Sequence, residues 1–258
     1  MKRTLRNFFK EFFHPLGMGK RKILIWLTFI SISTVATAQQ TCRIRKMITP
    51  QETEYFFKYD EQNRLQTISV PVESQIDSIF YYKDSIVITT DLNNARDSKT
   101  SYTFNQNGQA IHQKFLPIGY EGWIEEIDYG YTDGKLTTVK RAVRSYKEPP
   151  EKATISTETI VWKNGNPIKI NNNENGKSNG SLTMQYYDDK KFGIGAYQSY
   201  DQIMTGIAIL KPLNLVKSVD GAETLQLSYE FDKFGNIISM TEKEENETRI
   251  TKYQYECK

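Results

Sequence analysis

Apolar and polar residues alternate along most of this chain with the two-residue period of β-strands, and helical periodicity is nearly absent. Residues 229–239 show the pattern most plainly: an aromatic strand end, a polar turn, and a second strand that opens on aliphatic residues. Asn-Gly and Asp-Gly pairs accept the positive φ values of tight hairpin turns, and a parallel sheet would need crossover helices. The pattern predicts an all-β fold, an antiparallel meander of hairpins forming a curved or partly rolled sheet. The predicted turns lie at residues 60–63, 83–84, 105–108, 133–134, 164–165 and 232–235.

Residues 190–217 depart from this pattern and are predicted to be a non-repeat insertion. Asp201 is an N-cap candidate, and apolar side chains follow at positions 203, 204, 207 and 210, the spacing of one helical face. Pro212 would end such a helix. We predict one short helical segment packed on an open face or end of the sheet. The alternative is a further strand, because residues 207–210 are also compatible with β structure.

Two polar stretches are predicted to be surface loops. Residues 148–152 contain Pro149 and Pro150 and predict a stiff break, whereas residues 171–180 are rich in Asn and Gly and lack apolar side chains. The hairpin pattern resumes after each of them, which favours a single β-sheet domain over residues 39–258.

Residues 1–38 are predicted to be an export signal peptide. An apolar run at residues 23–32 follows basic residues 20–22, and residues 36–38 have the small side chains of a cleavage site. The run is shorter than the roughly 20 apolar residues of a membrane span, so we favour a cleaved signal over a transmembrane anchor. Basic and aromatic residues before Met18 leave open a true start at Met18. We expect an exported protein, in the periplasm or at the cell surface, with no stable membrane span after cleavage.

The predicted leader also carries the excess positive charge. Of the 34 Lys and Arg residues seven lie in residues 1–38, against one of the 31 Asp and Glu residues. The remaining 27 basic and 30 acidic residues give the mature chain a net charge of −3. Composition therefore gives no support for nucleic-acid binding.

Cys42 and Cys257 are the two cysteines of the chain, and they lie at the two ends of the predicted mature protein. An even pair in an exported protein favours a disulfide. The alternative is a lipidated Cys42, although residues 39–41 lack the aliphatic and small residues that precede a lipidated cysteine.

Two of the hairpins carry a more specific pattern, Tyr59-Asp60-Glu-Gln-Asn63-Arg64-Leu65 and Phe231-Asp232-Lys-Phe-Gly235-Asn236-Ile237. They resemble the tyrosine-aspartate (YD) repeat of Rhs-type shell proteins. More closely, the mature chain resembles exported Bacteroidetes β-sheet proteins built from degenerate YD-like hairpins and ending in an aromatic-x-aromatic strand, here Tyr253-Gln-Tyr255. Its irregular spacing and few repeats differ from a closed toxin-encapsulating shell. The resemblance implies an architecture and an envelope location, and it implies no activity.

Few residues offer enzymatic chemistry. His112 is the one histidine outside the leader, which removes zinc sites with several histidines and leaves any Ser-His-Asp site dependent on it; we favour a surface or cross-strand role. Acidic residues at 125, 126 and 128, or at 188 and 189, are the remaining option, because glycoside hydrolases need two carboxyl groups. Asp60, Asp133 and Asp232 fit turns better than calcium loops. We predict no catalytic residue, no metal and no cofactor.

Aromatic side chains outside the hairpin pattern are the candidate ligand-binding residues. Tyr120 and Trp123 belong to the predicted loop 119–123, and Tyr197 and Tyr200 belong to the insertion. Flat rings on loops can bind sugars or apolar peptides, and loops tend to carry function. Trp162 alternates with Ile160, which favours a place in the core.

These observations favour a non-enzymatic binding or interaction module of the periplasm or cell surface, with an envelope protein or a glycan as its unknown partner. One alternative is a glycan-directed hydrolase that uses paired carboxylates. A second is a structural envelope protein that pairs its sheet edge with partner strands.

Overall fold

The computed structural model describes residues 42–93, 95–118 and 122–257, so the predicted signal peptide and Tyr120 lie outside the described residues. One α-helix, α1 (Tyr200–Thr205), and three short 3-10 turns (Pro71–Glu73, Pro150–Lys152 and Tyr197–Ser199) accompany sixteen strands among the described residues. The strands are β1 (Cys42–Ile48), β2 (Glu54–Tyr59), β3 (Leu65–Val70), β4 (Gln75–Tyr81), β5 (Ser85–Leu92), β6 (Ala95–Phe104), β7 (Ala110–Pro117), β8 (Trp123–Thr132), β9 (Lys135–Ser145), β10 (Thr154–Lys163), β11 (Asn166–Glu174), β12 (Lys177–Lys191), β13 (Asn214–Asp220), β14 (Thr224–Phe231), β15 (Ile237–Lys243) and β16 (Thr248–Cys257).

The strands form a closed antiparallel barrel in which each strand pairs with its neighbours in sequence. Closure comes from β1, which pairs with β16 in a register that runs from Cys42 opposite Cys257 to Ile48 opposite Lys252. The all-β antiparallel meander is confirmed, but the prediction of a curved or partly rolled sheet is wrong. Closure satisfies the backbone groups that an open sheet would expose along its two edges.

Cys42 and Cys257 are joined by a disulfide, which confirms the predicted bond. The bond lies on the seam between β1 and β16, where it links strands 215 residues apart in sequence. The bond occupies the Cys42 sulfur, which a lipid would need for its attachment, so it excludes the lipidated alternative.

Strand alternation separates an apolar inner face from an outer face that exposes polar side chains and some apolar ones. Inward residues of strands all around the barrel, among them Ile44, Ile88, Ile127, Leu227 and Tyr253, belong to one buried apolar cluster. Side chains at the intervening positions point outward. The core of the domain is therefore the lumen of the barrel.

The two ends of the barrel differ. The disulfide end holds Cys42, Cys257, the β12–β13 connection and all six hairpin turns predicted from the sequence. The opposite end, which we call the open end, holds the other turns, including those between β1 and β2 and between β15 and β16. Because antiparallel neighbours reverse direction, every second turn falls at the same end.

Side chains of turn residues stabilise the hairpins at the disulfide end. Asp60 Oδ1 accepts a hydrogen bond from the Arg64 backbone N–H at 2.8 Å. Asp232 Oδ1 accepts from the backbone N–H groups of Phe234 and Asn236 at 2.8 and 2.9 Å. This geometry confirms Asp60 and Asp232 as turn residues.

A second repeated device ties neighbouring hairpins together. Several hairpins contain a β-bulge next to their turn, and the β1–β16 pair contains one beside Ile44. At each of these bulges an aromatic side chain of a nearby strand donates a hydrogen bond to a backbone carbonyl. The bonds are Tyr59 Oη to Ile44 O (2.9 Å), Tyr81 Oη to Leu65 O (2.8 Å), Trp162 Nε1 to Leu136 O (2.7 Å), Tyr186 Oη to Pro167 O (2.6 Å) and Tyr255 Oη to Ile237 O (2.9 Å). The aromatic residues of the sequence pattern thus satisfy backbone groups where the strand ladder is interrupted.

Replacing Tyr81 with Phe is expected to lower the free energy of unfolding by about 1–2 kcal/mol, because Leu65 O loses its side-chain donor in a half-buried position. Urea unfolding of both proteins measures the difference. Tyr82→Phe is the matched control, since Tyr82 is the next residue and is 62% exposed. Equal losses in the two variants would contradict a role for the hydrogen bond.

Two local predictions are corrected. Residues 171–180 are not a long loop, because β11 continues to Glu174 and β12 begins at Lys177, with Asn175 and Gly176 as a two-residue turn. The predicted helix is present but shorter, since Ser199 rather than Asp201 is its N-cap and Gly206 rather than Pro212 ends it. The break at residues 148–152 is confirmed.

Candidate ligand-binding cavity

The connection between β12 and β13, residues 192–213, folds into the lumen, and we call it the plug. Its 3-10 turn runs into α1, which Gly206 ends in a left-handed conformation (φ 74°) that favours glycine. Ala196, Ile203 and Ile207 of the plug are buried in the same apolar cluster as the wall residues. The plug therefore occupies part of the lumen and forms a floor for the space on the side of the open end.

Above this floor lies a cavity of about 670 Å³. Tyr197 and Tyr200 form part of its floor, and the β1–β2 turn of the open end forms part of its rim. Its wall residues include Met47, Tyr55, Met240, Glu242, Arg249, Thr251 and Tyr253. A volume of this size is within the range of small-molecule pockets.

A smaller cavity of about 260 Å³ shares Tyr197 and Tyr200 with the larger one. Gln198 and Asp201 of the plug supply its polar groups, and apolar side chains supply the rest, namely Ile170, Leu182, Met184, Leu210 and Val219. We refer to the two adjoining cavities together as the cup. The cup combines tyrosine rings, apolar wall and a small number of charges, as ligand pockets commonly do.

Tyr197 and Tyr200 stand in a partly desolvated environment. Tyr200 is 54% exposed, yet the barrel wall surrounds it, and burial raises the pKa of its phenol, with further increases from Tyr55 and Asp201. Burial also raises the pKa of Tyr197. Both phenols are therefore neutral at physiological pH, and they can donate and accept hydrogen bonds inside the cup.

Glu242 and Arg249 are a charged pair on the cup wall. Arg249 Nε lies 3.7 Å from Glu242, and Arg249 Nη2 lies 2.5 Å from Glu244 in the turn that follows β15. Burial raises the pKa of Glu242, while the Arg249 guanidinium opposes the increase. Arg249 therefore shares its charge among several carboxylates.

Asp201 projects from the first turn of α1. Burial raises the pKa of its carboxyl group, and Arg141 on β9 partly opposes this. Arg141 itself is paired with Glu125, its Nη1 lying 3.2 Å from Glu125 Oε1. Among the described residues, none forms a hydrogen bond or ion pair with the Asp201 carboxylate.

Replacing Asp201 with Asn is expected to stabilise the protein at neutral pH. Because folding raises the pKa of Asp201, the favourable contribution of its protonated form is present below the ordinary value of 3.8 and is lost as the pH rises through the folded-state value. The advantage of the variant should therefore shrink as the pH falls towards 4. Thermal unfolding of both proteins between about pH 3.5 and 7.5, the range in which a carboxyl group with a raised pKa titrates, measures the difference in stability. A difference that does not change with pH would contradict this account.

The structure places the predicted ligand-binding residues unevenly. Tyr197 and Tyr200 lie together in the cup, whereas Tyr120 lies outside the described residues. Trp123 begins β8 at the open end, 62% exposed, on the strand face that also carries Glu125. It thus belongs to the rim rather than to the cup. Trp162 packs against the core, as its alternation with Ile160 predicts.

Sequence reasoning missed the polar residues of the lumen, Tyr55, Asp201, Glu242 and Arg249. A signal for two of them was present, because Glu242 is two residues from the core residue Met240, and Arg249 is two residues from the buried Thr251. Residues two apart on a strand share a face, so a charged residue at that spacing from a core position points into the solvated part of the lumen.

The candidate catalytic acids lie on opposite faces of the wall. Glu126 pairs with Lys114 at 2.6 Å and Asp128 pairs with His112 at 2.8 Å, both on the outer face, whereas Glu125 points inward to Arg141. The Lys114 ammonium holds the pKa of Glu126 below its usual value. These pairs give Glu125, Glu126, Asp128 and His112 cross-strand contacts.

The outer wall of β6 to β9 carries polar residues at mid-strand positions. Lys99, Thr103, Lys114, Asp128 and Lys140 all lie there, several of them in cross-strand ion pairs. A barrel that faces lipid carries an apolar band about 25 Å tall at such positions. This part of the wall is suited to contact with water.

Within the described part of the chain, no group of three or more His, Cys, Asp and Glu side chains is arranged to hold a metal ion. No helix in residues 42–93, 95–118 and 122–257 is long and apolar enough to cross a membrane.

These features define a closed, plugged β-barrel with a cup-shaped cavity. No protein-family model matches the sequence, and no curated protein matches it. Solved structures with a similar fold include two porin-like proteins. A porin-like protein from Bacteroides uniformis aligns with a TM-score of 0.57 and 16% identity over 83% of this chain and 98% of its own. A porin-like protein from Bacteroides vulgatus aligns with a TM-score of 0.61 and 12% identity over the same shares. At these identities the likeness shows the barrel fold.

Proposed function

We propose that this protein is a non-enzymatic protein of the bacterial envelope that binds a small ligand in the cup. The observation that carries the proposal is the cavity of about 670 Å³ between the plug and the open end. Barrel wall surrounds it, the plug closes it below, and tyrosines and a charged pair line it. Such a site can bind a ligand without chemistry on it.

An envelope location is supported by the sequence and by the two similar solved structures. The predicted signal peptide of residues 1–38 would export the chain, and both neighbours are described as porin-like proteins of Bacteroides. We infer an envelope location, with residues 39–258 as one mature barrel domain and residues 190–217 as its insertion. The predicted disulfide-permissive compartment agrees with the Cys42–Cys257 bond.

A pore function for this chain is not favoured by the lumen or by the outer wall. Plug residues and inward wall residues share one buried apolar cluster, so the plug obstructs the lumen. The charged outer positions of β6 to β9 would have to be placed in lipid, which costs about 2–4 kcal/mol for each Lys or Arg at the bilayer midplane. A blind cup on a water-surrounded barrel accounts for both features.

A structural envelope protein that pairs its sheet edge with partner strands needs a free edge strand. Each of the sixteen described strands is paired on both sides, so this alternative is not supported. A glycan or an envelope protein as partner remains part of the proposal, through the cup or its rim. The exposed Trp123 at the open end is the rim surface we propose for such a partner, and Tyr120 stays a predicted ligand-binding residue.

Ligand-observed NMR with the residue 39–258 protein and a library of small polar and aromatic fragments tests the proposal. We expect a subset of fragments to bind the wild type and to lose at least about tenfold in affinity with Tyr200→Ala, because truncation removes most of an aromatic contact surface. Tyr82→Ala is the control, since Tyr82 is similarly exposed but lies outside the cup. Equal loss in both variants, absence of binding, or ion conduction through a planar bilayer would overturn the proposal.

A further inference from the structure

The smaller cavity of the cup is lined by hydrogen-bond acceptors that have no donors. Among the described residues, neither the Asp201 carboxylate nor Gln198 Oε1 has a hydrogen-bond partner, and Gln198 Oε1 is fully buried. Asn172 Oδ1, which points inward from the neighbouring wall by strand alternation, is also buried and unpartnered. Buried acceptors without donors are costly, and this applies to the Gln198 and Asn172 oxygens. The Asp201 side chain is exposed, so it is the acceptor that a donor in the cavity can reach.

Positive charge is scarce on this side of the barrel. None of the residues lining the smaller cavity is Lys or Arg. The charges that face the lumen are mostly negative in the described half of the barrel at the open end, leaving out the rim turns. Strand alternation and the plug place five carboxylates there. Only two guanidiniums among the described residues face the same space, those of Arg141 and Arg249. The carboxylates belong to Asp77, Glu125, Glu158, Asp201 and Glu242.

The two guanidiniums are already engaged. Arg141 pairs with Glu125 at 3.2 Å, and Arg249 is shared among Glu242, Glu244 and Glu247. Asp77 is 8% exposed and accepts hydrogen bonds from the Gln75 side-chain amide at 3.1 and 3.2 Å, which leaves its negative charge uncompensated by a cation. Of the five carboxylates, Asp201 is the one that lines the smaller cavity, and no hydrogen bond or ion pair engages it among the described residues.

Resting on the proposed function, we propose that the cup binds an organic amine in its ammonium form, with the charged nitrogen against the Asp201 carboxylate. An ammonium group has three donors and no acceptor, which matches a set of acceptors. The Tyr197 and Tyr200 side chains, which line both cavities, offer aromatic faces to a cation. Ile170, Leu182 and Val219 provide contact for an apolar body attached to the amine.

Three probes of similar size and different charge test this assignment: phenethylamine, 2-phenylethanol and phenylacetate. With the residue 39–258 protein, saturation-transfer NMR titrations should give an affinity for phenethylamine at least about tenfold above that for 2-phenylethanol, and phenylacetate should bind least. Asp201→Asn should reduce the preference for the amine to within about threefold. Asp128→Asn is the control, because it removes a carboxylate that is paired with His112 on the outer face. It should leave the preference unchanged.

The outcomes separate this inference from the proposed function. If the three probes bind with equal affinity and all lose affinity with Tyr200→Ala, the cup binds ligands but the assignment of an amine is overturned. A preference for phenethylamine that survives Asp201→Asn also overturns it, since the charge would then be recognised elsewhere. If none of the probes binds and the fragment library also fails, both proposals fall.

Discussion

Replacing Ile203 or Ile207 of the plug with Ala is expected to destabilise the protein by about 2–5 kcal/mol in each case. Both side chains are buried, at 6% and 5% exposure, and both belong to the cluster that fills the lumen. Truncation leaves a void that the surrounding strands cannot close, because the backbone hydrogen bonds of the barrel fix the distance between its walls. Urea unfolding followed by tyrosine fluorescence measures the loss.

Ile194→Ala is the matched control for these plug variants. Ile194 belongs to the same segment but is 39% exposed, so its truncation should cost less than about 1 kcal/mol. If Ile203→Ala and Ile207→Ala were no more harmful than Ile194→Ala, the plug would be dispensable for stability. The account of the lumen as the core of the domain would then be wrong.

The hairpins of this fold could be predicted because their signals are local. Asn164-Gly165 and Asp133-Gly134 have positive φ at both positions, which two-residue hairpin turns require and which few other residue pairs adopt. The aromatic positions before the turns also alternate with the phase of the inner face. Each hairpin thus carries its own instructions within about ten residues of sequence.

Closure of the barrel could not be predicted in the same way. It depends on the summed twist, tilt and stagger of sixteen strands, and no single stretch of sequence carries that sum. The pairing of β1 with β16 is a contact between the two ends of the domain, for which the two cysteines were the one available indication.

The polar stretch at residues 171–180 shows a second limit. Asn171 and Asn173 have no apolar pattern, yet they pair in register with Ser181 and Ser178. Near the open end the strands extend beyond the apolar core, so their backbone hydrogen bonds persist without apolar side chains. Asn175-Gly176 was the informative signal there, since it has the same turn conformation as the other hairpins.

The candidate site could be predicted only in part, because the sequence marks the insertion but not where it packs. The insertion was recognisable as a break in the pattern, and it brings Tyr197 and Tyr200 into the cup. Its position inside the lumen could not be read from its composition, because an apolar helix can cover the outside of a sheet equally well. Glu242 and Arg249 could be recognised only by their spacing of two residues from core positions, because they lie on ordinary strands.

Loss of the Cys42–Cys257 disulfide is expected to lower the free energy of unfolding by about 5 kcal/mol, since the bond closes a loop with a sequence separation of 215 residues. The effect arises mainly in the unfolded chain, which gains conformational freedom when its two ends are released. A loss of this size is a large part of the roughly 5–15 kcal/mol that stabilises a typical domain.

Urea unfolding of the oxidised protein, of the protein in reducing agent, and of Cys42→Ser with Cys257→Ser measures this contribution. The disulfide is also expected to protect the seam locally, because the pairing of β1 with β16 closes the barrel. Amide hydrogen exchange should therefore become faster in these two strands on reduction, with less change in β8 and β9 on the distant wall. Faster exchange spread evenly over all strands, or a stability loss below about 1 kcal/mol, would show that the seam holds without its covalent bond.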